Sequence, residues 1–145
     1  MESRILFICT GNFYRSRFAE MLFNYLAEKE KLPVKAFSKG LRLSKKNKGP
    51  LSSYAENYLA ENYNELEIST RMPIPVTRQD FEYYDQIIAL DETEHRALMK
   101  QFFPTEENQI TYWNFADDYI EAPAMVLPKL EEKVKAFVAD LKTKY

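Results

Sequence analysis

The chain has 145 residues, 46% of them hydrophobic and 14% aromatic, which suits one well-packed domain and excludes a disordered segment. Twenty Lys and Arg against 22 Asp and Glu leave a formal charge of −2, arguing against a dedicated nucleic-acid binder or a polybasic membrane anchor. One Cys and one His exclude an internal disulfide, a four-cysteine zinc site and a two-histidine metal site.

Residues 4–9 form a short, continuous apolar run that reads as a strand buried on both faces of a parallel sheet. It is too short for a signal-peptide core, and no later segment approaches the roughly 18 apolar residues of a membrane span. A soluble protein of a reducing cytoplasm is therefore expected, where a lone thiol is at home. From about Ser16 the period turns helical, with Phe18, Met21, Leu22, Tyr25 and Leu26 on one face and Glu20, Asn24, Glu28 and Lys29 on the other. Pro33 ends that helix. Residues 34–38 read as a second strand before Gly40, and residues 44–50 are loop by composition.

A helix carrying Leu51, Tyr54, Tyr58 and Leu59 follows, and Pro73 and Pro75 make residues 69–76 irregular. Residues 85–90 read as a third strand running into Asp91, whose position predicts an N-cap ahead of an acidic first helical turn. Residues 109–113 are a fourth strand. Leu130, Val134, Phe137, Val138 and Leu141 then give the last helix the clearest apolar face. Alternating strands and helices at crossover spacing predict one domain over residues 1–145, an α/β fold built as a three-layer α/β/α sandwich around a four-stranded parallel sheet. Ligands of such sheets bind beyond the carboxyl ends of the strands, and Cys9 falls at such an end.

Charge is segregated along the chain. Between Glu30 and Glu56 lie Lys31, Lys35, Lys39, Arg42, Lys45, Lys46 and Lys48 with no acid, and between Lys100 and Lys129 lie Glu106, Glu107, Asp117, Asp118 and Glu121 with no base. Most of these are solvated surface side chains, but the basic loop is a candidate rim for an anionic ligand.

Residues 9–16 read Cys9, Thr10, Gly11, Asn12, Phe13, Tyr14, Arg15 and Ser16. Cys9 and Arg15 bracket a loop between a strand and a helix N-terminus, where backbone N–H groups from Thr10 to Ser16 turn toward a common centre and cradle a tetrahedral oxyanion. Arg15 adds a planar fork for two phosphate oxygens, and Gly11 permits the turn. The same positive field favours the thiolate of Cys9. A thiolate beneath a bound phosphate is an in-line nucleophile, so catalysis through a phosphocysteine is expected. A cysteine ending a core strand is often only a small buried hydrophobe, but that reading has no use for Arg15. The nucleotide-binding GxxxxGK[ST] loop is absent.

With an N-terminal strand followed by Cys-x-Gly-Asn-x-x-Arg-Ser, the sequence resembles the low-molecular-weight protein tyrosine phosphatases. Ser38 to Gly40 resembles the family's small-residue turn after the second strand, residues 77–91 its approach to the third, and residues 115–119 its general-acid loop. The resemblance implies Cys9 as nucleophile, Arg15 as phosphate clamp and Asp117 as the acid that protonates the leaving group and then activates water. Asp118 is the rival, because the family's Pro after the acid is missing. It further implies that Asn12, Ser16 and Ser38 support the loop, and that Phe13 and Tyr119 wall a flat leaving group. No cofactor or metal is implied. The expected partner is a phosphorylated protein or a small aryl phosphate.

The chain also departs from the family pattern. Tyr14 stands where members often carry a second Cys, so oxidation of Cys9 leads to sulfenic acid or an intermolecular partner. Arg17 replaces a Pro and Arg71 a supporting His; as cations near the mouth these would favour acidic or multiply phosphorylated substrates. His95 is expected to be structural. The leading expectation is a phosphomonoester hydrolase acting on phosphotyrosine. The alternatives are an arsenate reductase using an external thiol and a phosphate-binding regulatory module without turnover.

Overall fold

The apolar run that opens the chain becomes a central strand. In the computed structural model, which describes residues 2–145, β1 (Ser3–Cys9) pairs in parallel with β2 (Val34–Gly40) on one side, from Ser3 opposite Val34 to Cys9 opposite Gly40. On its other side lies β3 (Gln86–Ala89), with Ile5 opposite Gln86 and Ile8 opposite Ala89. β4 (Thr111–Tyr112) pairs with β3 and completes the order β2-β1-β3-β4, all strands parallel.

Because successive strand residues point to opposite faces, β1 feeds two cores. Ile5 and Phe7 pack with Phe18, Leu22, Leu59, Leu130 and Val134 of α1 (Arg15–Lys29), α2 (Ser53–Asn62) and α5 (Pro123–Lys142). Leu6 and Ile8 pack on the opposite face with Phe81, Leu98 and Met99 of α3 (Asp80–Tyr83) and α4 (Glu92–Phe102). These are the three layers anticipated from the alternation of elements. Pro123 opens α5, where its missing N–H costs nothing and its fixed φ fits the helix. No helix among the described residues is long and apolar enough to cross a membrane.

Two local expectations need correction, and one short element was not anticipated. The fourth strand pairs only over Thr111–Tyr112 because the preceding residues are drawn into turns, Glu106 N–H bonding Phe103 O and Gln109 N–H bonding Glu106 O. A single helical turn, α3, precedes β3; it is too short to leave a periodic signal, and the Asp80 carboxylate fixes its start by accepting from Thr77 N–H at 2.7 Å. Asp91 does stand at the N-cap of α4, but its side chain makes no capping bond; its backbone N–H instead donates to His95 Nδ1 at 3.0 Å.

Candidate active site

The strand order turns at β1. The chain moves from β1 to β2 on one side and to β3 and β4 on the other, which opens a crevice beyond the carboxyl ends of β1 and β3. The β1–α1 loop and the first turn of α4 both emerge there. α1 begins with no side-chain cap and no acid in its first turn, so its positive end is left open. None of the backbone N–H groups of residues 10–14 donates to a protein acceptor among the described residues. Donors left this way, at a helix start, suit an anion.

Asn12 holds the loop in shape. It adopts φ 52°, the left-handed region that Asn tolerates better than most residues, and it is fully buried. Its Nδ2 donates to Ser16 Oγ at 3.0 Å and Ser38 Oγ at 2.9 Å, while its Oδ1 accepts from Arg71 Nη1 at 2.9 Å and Ile74 N–H at 3.1 Å. Since Ser16 Oγ accepts from Asn12, its own hydrogen is free for Cys9 Sγ, 2.9 Å away. Cys9 is itself buried.

Behind this relay lies a buried charge cluster. Glu20 Oε1 pairs with Arg17 Nη1 at 3.0 Å and Arg71 Nη2 at 2.8 Å, and it accepts from Ser38 Oγ at 2.6 Å. Arg17 is completely buried and also bonds the Ser69 carbonyl at 2.8 Å, which pins the irregular segment 69–76. Arg17 and Arg71 therefore do not stand as free cations at the mouth, as the sequence suggested. Glu20 draws both inward, and Arg71 props Asn12. Two guanidinium groups on one carboxylate leave a surplus positive charge behind the loop.

Arg15, only 1% exposed, is oriented from the crevice side. Its Nη1 and Nη2 donate to Glu94 Oε1 at 3.2 Å and Oε2 at 2.9 Å, and Nη1 also bonds the Phe115 carbonyl at 2.9 Å. Glu94 additionally accepts from Thr10 Oγ1 and lies 3.3 Å from His95 Nε2. Burial alone would raise Glu94, but His95, Arg15 and Thr10 together outweigh it and hold the carboxyl well below the usual range. Burial, reinforced by the Arg15 charge, pushes His95 down against the pull of Glu94, so the ring is neutral. With Nδ1 accepting from Asp91 N–H, that neutral ring carries its proton on Nε2, toward Glu94. His95 is thus a buried support. Glu94 went unnoticed in the sequence, where it reads as one more acid in a helix's first turn.

Asp117 Oδ2 lies 3.4 Å from Arg15 Nη2. Cys9 and Arg15 form part of a pocket of about 530 Å³ that Phe13, Tyr119, Asp117, Asp118, Arg42 and Lys46 also line. Partial desolvation and the adjacent Asp117 charge push Asp118 upward against the opposing influence of Arg15. Thr10, Gly11 and Tyr14 also line the pocket, whereas Asn12, Ser16 and Ser38 lie buried around it. The structure thus gathers Cys9, Arg15 and Asp117 at one opening.

The family model for low molecular weight phosphotyrosine protein phosphatase matches residues 4–145. A Bacillus subtilis protein-arginine-phosphatase is 33% identical over 98 residues, which cover 68% of this chain and 62% of that protein, so the match spans less than two thirds of the relative. The solution structure of a low molecular weight protein tyrosine phosphatase from Bacillus subtilis superposes with a TM-score of 0.77 at 25% identity, covering 97% of each chain. The crystal structure of such a phosphatase from T. tengcongensis gives a TM-score of 0.78 at 24% identity, covering 99% of this chain and 100% of that one. By the extent of the family match and the shared fold, the chain belongs to the low molecular weight phosphotyrosine protein phosphatases.

Proposed function

We propose that the protein hydrolyses phosphomonoesters of protein side chains, phosphotyrosine first, through a phosphocysteine on Cys9. The observation that carries this reading is the union, at one loop and helix start, of a buried Cys9 that faces a free serine hydrogen and an Arg15 whose Nε has no protein partner among the described residues. That Nε–H and the unpaired amides of residues 10–14 are the donors left for phosphate oxygens.

In the first step Cys9 Sγ attacks phosphorus, the P–O bond to the leaving group breaks, and Asp117 passes its proton to the departing oxygen. In the second, water gives its proton to Asp117 and attacks phosphorus, the P–S bond breaks, and phosphate and the Cys9 thiolate are released. The dianionic phosphate competes with Asp117 for Arg15, which lies 3.4 Å from the Asp117 carboxylate. Phe13 and Tyr119 offer flat faces to an aryl group. The adjacent Asp117 and Asp118 give phosphoarginine a second claim, since two carboxylates suit a guanidinium leaving group, as does the relative named for that activity.

The need to keep Cys9 reduced fits a reducing compartment. The test is turnover of a small aryl phosphate, a phosphotyrosyl peptide and a phosphoarginyl peptide. Hydrolysis with a mildly acidic optimum and preference for the phosphotyrosyl peptide is expected. Preference for phosphoarginine would reassign the substrate, and thiol-dependent arsenate reduction without ester hydrolysis would overturn the reading.

A further inference from the structure

We infer that the loop following β2 forms a second anion subsite, in which Arg42 and Lys46 hold a negatively charged group flanking the phosphorylated residue of the substrate. The inference rests on the phosphatase reading and adds a substrate class to it.

The loop is anchored at both ends to the loop that carries Cys9. At its start, Leu41 N–H bonds Cys9 O and Arg42 N–H bonds Thr10 O, both at 2.9 Å; at its end, Ser52 N–H bonds Phe13 O at 2.7 Å. Close approach is possible because Gly40 has no side chain: a Cβ there would sit 2.7 Å from Thr10 O and 2.9 Å from Asn12 N. Midway, Asn47 rests on Gly11, where a Cβ would meet Asn47 Nδ2 at 2.7 Å. The basic segment is therefore a fixed rim of the pocket and travels with the residues that surround Cys9.

The other cations around the site are already engaged. Arg15 pairs with Glu94 and Asp117, Arg17 and Arg71 share Glu20, and Lys39 pairs with Asp80. Arg42, Lys45, Lys46 and Lys48 are exposed and have no carboxylate partner among the described residues. Two of them, Arg42 and Lys46, line the same pocket as Cys9, Arg15, Asp117 and Asp118, and neither pairs with those acids. The pocket thus carries unpaired positive charge from the loop after β2 beside the carboxylates of Asp117 and Asp118. Because Arg42 and Lys46 share one pocket with Cys9 and Arg15, a substrate with its phosphoryl group at Cys9 brings its flanking residues within reach of their charge. The pocket of about 530 Å³ lies in the range that accepts a ligand well beyond a single phosphoryl group. The chemistry selected is a second anionic group, supplied by a carboxylate side chain or by a second phosphoryl group.

The test compares kcat/KM for short phosphotyrosyl peptides flanked by Glu, by a second phosphotyrosine, by Ala or by Lys, at low and high salt. The Glu and doubly phosphorylated peptides are expected to exceed the Ala peptide by about three- to tenfold at low salt, the scale of two exposed, screened charge contacts. That ratio shrinks in high salt and falls toward one in the Arg42→Gln, Lys46→Gln double variant; comparing the two anionic peptides tells which source is favoured. A wild-type ratio of one, or a ratio unchanged in the double variant, overturns the subsite while turnover of the peptides leaves the phosphatase reading standing. No turnover of any peptide or of a small aryl phosphate overturns both.

Discussion

Arg15 and Glu94, 79 positions apart in sequence, meet as a two-pronged ion pair, Nη1 to Oε1 at 3.2 Å and Nη2 to Oε2 at 2.9 Å. The fork fixes the guanidinium plane at the mouth of the β1–α1 loop and leaves Nε free. β3 and α4 exist, from the viewpoint of this site, to deliver that carboxylate. Replacing Glu94 by Gln keeps the shape and removes the charge, so Arg15 loses its orientation without losing its place. We expect kcat/KM for a small aryl phosphate to fall by about 10- to 100-fold, the cost of misaligning a catalytic group, with the fold retained by circular dichroism. Activity within about twofold of wild type would show that Phe115 O alone suffices to hold Arg15.

Asp117 and Asp118 separate by leaving group. Asp117→Asn should lower kcat by about 100-fold or more for a poor leaving group such as phenyl phosphate and by less for p-nitrophenyl phosphate, which needs little proton donation. Asp118→Asn should leave this contrast in place. The opposite pattern assigns the proton to Asp118, whose upward shift makes it the alternative donor.

Glu20 is the sole carboxylate joining Arg17 and Arg71 among the described residues. Glu20→Gln strands the buried Arg17 and the half-buried Arg71 and is expected to destabilise the fold by about 3–5 kcal/mol in urea denaturation. Adding Arg71→Met should recover part of that loss, because one unpaired charge is removed. Absence of recovery would mean that Arg71 props Asn12 through hydrogen bonds more than through charge.

His95 sets a pH dependence of stability. Its folded-state value is lowered by burial, so below the ordinary histidine value of about 6.5 the unfolded chain binds a proton that the folded chain does not, and stability falls as pH falls. The slope approaches about 1.4 kcal/mol per pH unit at most. Denaturation midpoints between pH 7.5 and 5.5 measure it, and His95→Gln should flatten the curve in that window. Glu94, held low, begins to lose its contribution only nearer the ordinary carboxylate range, as pH falls through it.

The sheet and the Cys9 to Ser16 segment were legible because their causes are local. An apolar run, a turn and a helical period announce β1 and α1, and the spacing of Cys9 and Arg15 announces the loop. The late aspartate was legible only through family resemblance. Glu94 was not legible, since an acid in the first turn of a helix is the default partner of the helix dipole, and its distant use depends on how the strands are ordered. Arg17 and Arg71 misled because charge in a sequence reads as surface: the i,i+3 pairing of Arg17 with Glu20 is local, but only the fold buries it and brings Arg71 to the same carboxylate. α3 and the truncated β4 fall below the length at which periodicity speaks.

The most direct measurement is single-turnover reaction of the Asp117→Asn variant with p-nitrophenyl phosphate, quenched in acid and read by intact-protein and peptide mass spectrometry, alongside wild type and Cys9→Ser. The expected result is a transient phosphoryl adduct on the peptide bearing Cys9, with turnover abolished in Cys9→Ser. Undiminished hydrolysis by Cys9→Ser, or an adduct elsewhere, would contradict nucleophilic catalysis by Cys9.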